Sequence, residues 1–285
     1  MTRVVWLDGV VVPAEQARVS VLDRGFLYGD SVYEVVRARD GRPFQLGPHL
    51  DRLQRSATAI GLGLPARAEI EAALATTLAA AAEADAYVRI MVTRGAGAIG
   101  LRPSLAGAPT LVILVQAAQP PPPELYRDGV AVVVVNLSRA GVDPRVKSGN
   151  YLPSVLGAAE AERRGAYECL FTDGVGRLTE GGSSNLFLVR GGVVSTPPEH
   201  AGLLPGITRQ VVLELCRELS IPVEERPLWP IDARSADEAF ITSSIREILP
   251  VVRVDDHVLG NGHPGGITQR IMSGYAEATR RPDHA

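Results

Sequence analysis

The chain has 285 residues, 46% hydrophobic and 21% charged, with 29 Lys plus Arg against 32 Asp plus Glu for a net charge of −3. That length holds one large domain or two ordinary ones, and so balanced a charge gives no electrostatic case for nucleic acid. No stretch approaches the roughly 18 apolar residues of a membrane span, so no membrane partner is expected and the partner is expected to be a small molecule.

Val4 to Leu7 and Val10 to Val12 flank Asp8-Gly9, a dipeptide that tolerates positive φ and predicts a tight hairpin. An acid and a turn so early are unlike a secretory signal, which needs an unbroken apolar core. Asp23 to Ser31 is broken by Gly25 and Gly29 and is expected to be a site-lining loop. Val32 to Ala38 predicts a strand turning at Asp40-Gly41. Pro48 to Leu62 sets Leu50, Leu53, Ala57 and Ile60 on one helical stripe with Arg52 and Arg55 beside it, and Pro65 opens an alanine-rich helix to about Ala82. Strands at Tyr87 to Thr93 and Thr110 to Gln116 enclose a long glycine-rich loop from Arg94 to Pro103, a length that marks function or mobility.

Four consecutive prolines at 120–123 predict a stiff spacer. The expected division is a small α/β domain over 1–119, the proline linker, and a large domain over 124–285. Val130 to Asn136 reads as a strand buried on both faces, and a helix is expected from about Leu152 to Arg164. Tyr167 to Thr172 with Asp173-Gly174, and Asn185 to Val189 with Gly191-Gly192, carry further hairpin signals. Helices at Ile207 to Leu219 and Gly266 to Arg280 accompany strands near Pro222 to Arg226, Glu238 to Thr242 and Pro250 to Val254. Cys169 and Cys216 lack any CxxC spacing or nearby His, so neither a metal site nor a disulfide is expected, and buried thiols in a reducing cytoplasm are.

Lys147 is the only lysine; the other 28 basic residues are arginine. A lysine can shed its proton in a desolvated site and become a nucleophilic amine, whereas a guanidinium stays protonated. The usual employment of such an amine is a Schiff base to a carbonyl, of a substrate or of pyridoxal phosphate. Tyr151, four residues on, is expected to return to the same site over one helical turn. Four other features suggest chemistry, each with an ordinary structural alternative. Glu180 precedes a Gly/Ser segment, and Leu204-Pro205-Gly206-Ile207-Thr208-Arg209 starts a helix whose free amides suit a phosphate. Thr242-Ser243-Ser244 places three hydroxyls at a strand end, and His49-Leu50-Asp51-Arg52 supplies an arginine for a phosphate or an ion pair.

Taken in order, these motifs resemble those of the class IV aminotransferases, pyridoxal-phosphate enzymes of fold type IV that include branched-chain and D-amino acid aminotransferases and aminodeoxychorismate lyase. The resemblance runs from about Trp6 to Tyr275. It is carried by Tyr28-Gly29-Asp30-Ser31-Val32-Tyr33-Glu34, His49-Leu50-Asp51-Arg52-Leu53, Lys147-Ser148-Gly149-Asn150-Tyr151, Glu180-Gly181-Gly182-Ser183-Ser184-Asn185 and Leu204-Pro205-Gly206-Ile207-Thr208-Arg209. It implies a two-domain α/β (α+β) homodimer with the cofactor in the interdomain cleft. Lys147 would form the internal aldimine and move the proton between Cα and C4′, Glu180 would face the pyridine nitrogen, and Tyr151 would donate to the ring's phenolic oxygen. Arg52, the amides of Ile207 and Thr208, and the hydroxyls of Ser243 and Ser244 would hold the phosphate.

For the substrate, the resemblance implies Tyr28, Tyr33, Arg37, Tyr87, Arg89 and Arg102, because Tyr87-Val88-Arg89 matches the Tyr-x-Arg of the branched-chain enzymes. The Arg-x-His of D-amino acid aminotransferases is missing after Arg94, yet Val32-Tyr33-Glu34-Val35-Val36 looks more like the D-enzyme, and Thr93-Arg94-Gly95 is similar to the lyase. The expected activity is transamination of an apolar or branched-chain amino acid with 2-oxoglutarate. The alternatives are a lyase releasing pyruvate, a D-amino acid or (R)-amine transaminase, and a non-catalytic carrier of the cofactor.

Overall fold

The computed structural model describes residues 3–137 and 143–281, and the chain forms two units: Met1–Gln119 with Val146–Asn150, and Pro120–Arg145 with Tyr151–Ala285. In the first unit the elements are β1 (Val4–Leu7), β2 (Val10–Pro13), α1 (Arg24–Tyr28), β3 (Ser31–Arg39), β4 (Arg42–Pro43), α2 (Leu46–Ala59), α3 (Arg67–Ala81), β5 (Asp85–Thr93) and β6 (Thr110–Ala117). The strands form an antiparallel sheet in the order β2-β1-β6-β5-β3-β4. Alternation decides its faces: Ala86, Val88, Ile90 and Val92 of β5 and Val32, Val36 and Ala38 of β3 are fully buried in one core with residues of α2 and α3. The intervening residues Tyr33, Val35 and Arg37 pair with Met91, Arg89 and Tyr87 on the other face. Asp8-Gly9 and Asp40-Gly41 both adopt positive φ, the backbone that tight primed turns demand.

Two expectations fail here. Asp23 to Ser31 is no loop, because the Asp23 side chain accepts the Gly25 amide as an N-cap and Gly29 ends α1 in the left-handed conformation. Val146–Asn150 is not helical either. It lies along the first residues of β3: Tyr33 N donates to Lys147 O and Gly149 N to Ser31 O, both at 3.0 Å, with Ser148 bridging Val32. β4 pairs only with Ala38 and Arg39, so the start of that edge needs other partners, and this segment supplies them. Tyr151 therefore does not follow Lys147 over a helical turn.

The second unit contains α4 (Pro123–Asp128), β7 (Val130–Val135), α5 (Leu152–Arg163), β8 (Glu168–Thr172), β9 (Leu178–Gly181), β10 (Asn185–Arg190), β11 (Val193–Thr196), α6 (Ile207–Glu218), β12 (Val223–Glu225), α7 (Pro230–Arg234), β13 (Glu238–Ser243), β14 (Glu247–Val254), β15 (His257–Val258) and α8 (Gly266–Ala278). Its mixed sheet runs β12-β11-β10-β13-β14-β7-β8-β9, with β15 added to β14; β7 is parallel to both β8 and β14. The proline run ends in α4 rather than in a spacer, since Pro123 occupies the first helical position, where a missing N–H costs nothing. Leu170, Leu186, Ile241 and Leu249 anchor the apolar core. Cys169 and Cys216 are fully buried and outside any disulfide, and burial pushes the Cys216 thiol up to about 11. Among the described residues no helix is long and apolar enough to cross a membrane.

Candidate active site

In the first unit, Glu34 of β3 and the stripe of α2 make a buried charged cluster. Arg52 donates from Nε and Nη2 to the two Glu34 oxygens at 2.8 and 2.7 Å, and His49 Nδ1 stands 2.7 Å from Glu34 Oε2. All three are at least 97% buried. The i, i+3 spacing of His49 and Arg52 on one helix face makes both reach one carboxylate. Burial alone would raise the Glu34 pKa, but the Arg52 charge and hydrogen bonds, helped by His49, hold it at about 2. Burial depresses the His49 pKa, and the pull of Glu34 does not restore it.

On the opposite face of β3, Tyr33 is a platform for two cations: Arg89 Cζ lies 4.1 Å and Lys147 Nζ 4.6 Å from its ring centroid. The Lys147 backbone is fixed by β3 and by Ser56 Oγ, which accepts its amide at 3.1 Å. So the sheet brings together Lys147, Tyr33 and Arg89, with Tyr87 two residues along the Arg89 strand on the same face. Arg37, opposite Tyr87, is held in a bidentate pair with Asp85. Tyr28 and Arg102 belong to another corner: the Gly100 amide donates to the Tyr28 hydroxyl, and Arg102 is exposed on the loop after β5.

In the second unit, Glu180 is 4% exposed on β9 and accepts the Leu204 amide at 3.1 Å. Asn185 Nδ2 donates to Leu204 O, and a Cβ at Gly206 would stand 1.9 Å from Asn185 Oδ1, so only glycine lets the start of α6 sit this low. Asn185 also pairs with Thr242 across β10 and β13. The Ile207 and Thr208 amides, which a helix leaves without intrahelical acceptors, thus lie by the Thr242 strand end. Thr242 Oγ1 is fully buried with no hydrogen-bond partner. An orphaned hydroxyl beside a helix N-terminus fits a phosphate. Ser243 differs from expectation in part: its Oγ accepts from Arg246 Nε at 3.1 Å, leaving its proton alone to offer. Tyr151 occupies the N-cap position of α5 and, with Ser154, Val155, Ser183 and Arg246, lines a cavity of about 330 Å³. Among the described residues no cluster of His, Cys, Asp and Glu could hold a metal.

Sequence reasoning passed over Glu34 and His49 as site residues, although both stand inside quoted motifs. It also missed Glu168 and Arg246. The signal for the second pair was the glycine doublet after Glu180, since a Cβ at Gly181 would meet Ser184 Oγ at 2.2 Å and Glu168 Cδ at 3.3 Å.

A family model described as amino-transferase class IV matches residues 31–254. A Methanocaldococcus jannaschii protein, named provisionally as a branched-chain-amino-acid aminotransferase, is 41% identical over 277 residues, covering 96% of this chain and 95% of that one. D-alanine aminotransferase of Bacillus licheniformis is 32% identical and covers 94% of each chain. Among solved structures, the branched-chain aminotransferase of the thermophilic archaeon Thermoproteus uzoniensis with norvaline superposes with a TM-score of 0.88 at 34% identity, covering 97% of this chain and 94% of that one.

Proposed function

The chain belongs to the class IV aminotransferases, and from that premise we propose that it moves an amino group between an apolar, branched-chain-type amino acid and 2-oxoglutarate. It is a pyridoxal-phosphate-dependent enzyme. The observation that carries the substrate reading is the pair of cations on Tyr33, an amine and a guanidinium held on one ring. Arg89 is the carboxylate-binding group: it pairs with the second carboxylate of 2-oxoglutarate, and stays on the buried Tyr33 ring when an apolar donor is bound. Bound pyridoxal phosphate supplies an electron sink for charge developing at the substrate Cα. Lys147 Nζ takes and returns the proton at that carbon. Glu180 holds a proton on the pyridine nitrogen, with its own orientation fixed by the Leu204 amide. Tyr151 would donate to the cofactor's phenolic oxygen. In the second unit the Ile207 and Thr208 amides, Thr242, Ser243 and Ser244 would hold the phosphate; in the first, Arg52, its charge fixed in place by Glu34, is the residue suited to the same group.

A D-amino acid preference is the second reading, favoured by Val32-Tyr33-Glu34-Val35-Val36 and by the relative named as a D-alanine aminotransferase. The deciding experiment follows the cofactor's absorbance in single half-reactions with L-leucine, L-valine, D-alanine and aminodeoxychorismate. Conversion by the apolar L-amino acids is expected. Pyruvate release from aminodeoxychorismate, with no conversion by the other three, would overturn transamination in favour of lysis.

The enzyme works as a homodimer in the cytoplasm. Apolar side chains left in water support the dimer: Phe26, Ile99 and Leu101 are 74%, 77% and 81% exposed in the first unit, and Leu152, Val155 and Leu156 form an exposed stripe on α5. Two buried cysteines outside any disulfide support the compartment. A monomer in sedimentation equilibrium at micromolar concentration would remove the dimer.

A further inference from the structure

In the second unit the first residue of β8 and the turn after β13 carry an ion pair that neither Lys147 chemistry nor core packing requires. Glu168 is 5% exposed and fully engaged. Its Oε1 accepts from Ser183 N at 2.6 Å and Ser183 Oγ at 3.1 Å, and its Oε2 from Ser184 Oγ at 2.9 Å and Arg246 Nη1 at 2.6 Å. Arg246 spends the rest of its fork on the same two turns. Nη2 donates to Ser183 O and Oγ at 2.8 and 2.7 Å, and Nε donates to Ser243 Oγ at 3.1 Å. From the far side the Tyr126 hydroxyl donates to Arg246 O at 3.0 Å.

Buried ion pairs contribute little net stability compared with apolar residues of the same volume, so energy alone does not explain this one. Geometry does. The pair joins the β9–β10 turn, which begins two residues after Glu180, to the end of β13 at Ser243 and the turn that follows it from Ser244. A planar guanidinium with directed donors fixes both turns at once, which a lysine's point charge would not. We propose that Arg246, seated on Glu168, is a positioning residue that sets the Ser243-Ser244 turn for the cofactor's phosphate. This rests on the reading that the turn after β13 holds that phosphate.

The test uses the full-length chain freed of cofactor, and compares the dissociation constants of pyridoxal 5'-phosphate and pyridoxal by absorbance titration. A general loss of structure weakens both ligands alike, whereas a misplaced turn weakens only the phosphorylated one. The variants are Glu168→Gln with Arg246→Met, which removes both charges together, and Arg246→Lys, which keeps the charge and loses the fork. Ser244→Ala is the control for the phosphate site itself. The preference for the phosphorylated ligand should fall about tenfold in Ser244→Ala and in both clamp variants, the worth of roughly one charge-assisted hydrogen bond. Should the double variant fail to fold, Arg246→Lys decides alone. A fall in Ser244→Ala with none in the folded clamp variants overturns the proposal and leaves the phosphate site standing. No fall in any variant overturns both.

Discussion

Replacing Glu34 by glutamine tests the buried cluster of the first unit. In the wild type the carboxylate is fully buried and accepts from Arg52 at 2.8 and 2.7 Å. The amide carries no charge, and its NH₂ must face either Nε or Nη2 of Arg52, donor against donor. Removing one partner of a buried pair costs about 3–5 kcal/mol, so the variant should be less stable by that amount at pH 7. The pH dependence is sharper still. With the Glu34 pKa held at about 2 against an ordinary 4.5, the folded state binds its proton later than the unfolded one. The carboxylate's contribution is therefore complete above pH 4.5 and is lost as pH falls toward 2; about 2 kcal/mol of it is gone by pH 3. Other depressed carboxylates, such as Asp85 and Asp255, are common to both proteins and cancel in the difference, and making both proteins on a His49→Asn background removes the one titration that Glu34 itself shifts. The assay is urea unfolding of the cofactor-free chain at fixed protein concentration and ionic strength, from pH 7 to pH 3. The gap between wild type and Glu34→Gln should narrow by about 2 kcal/mol over that range. A gap below about 1 kcal/mol at pH 7, or one that stays constant or widens on acidification, would refute the reasoning.

Glu180→Gln should still bind the cofactor and keep its absorbance but lose turnover by about 10²–10³, the usual size of a missing electrostatic stabiliser; near-normal turnover would reduce Glu180 to a residue that orders the Leu204 loop. Arg89→Met should raise KM for 2-oxoglutarate more than KM for an apolar donor, since it removes binding to the second carboxylate; equal damage to both half-reactions with a lowered melting temperature would make Arg89 a packing residue on Tyr33.

What the sequence made legible was local. Asp8-Gly9 and Asp40-Gly41 name their own turns because few residues accept positive φ. The alternation in β5 shows which face is buried, and Gly206 with the residues after it announces the start of α6. The family motifs went further and singled out Lys147, Glu180 and the segments proposed to hold the phosphate. What stayed hidden were the partners that lie far apart in the chain. Nothing near Lys147 says that its carbonyl accepts the Tyr33 amide while Gly149 donates to Ser31, and nothing announces a contact between Glu168 and Arg246, 78 positions apart. Glu34 looked like one more alternating strand residue until α2 placed Arg52 and His49 over it. Even α1 was masked by its glycines, although Asp23 and Gly29 are its caps.

The central claim is that Lys147 carries the cofactor, and its being the only lysine makes the test clean. The purified enzyme is reduced with borohydride, digested, and mapped for the pyridoxyl label. The account predicts label on the peptide containing Lys147, accompanied by loss of activity in proportion. Label confined to the N-terminal amine, with Lys147 unmodified, would contradict it.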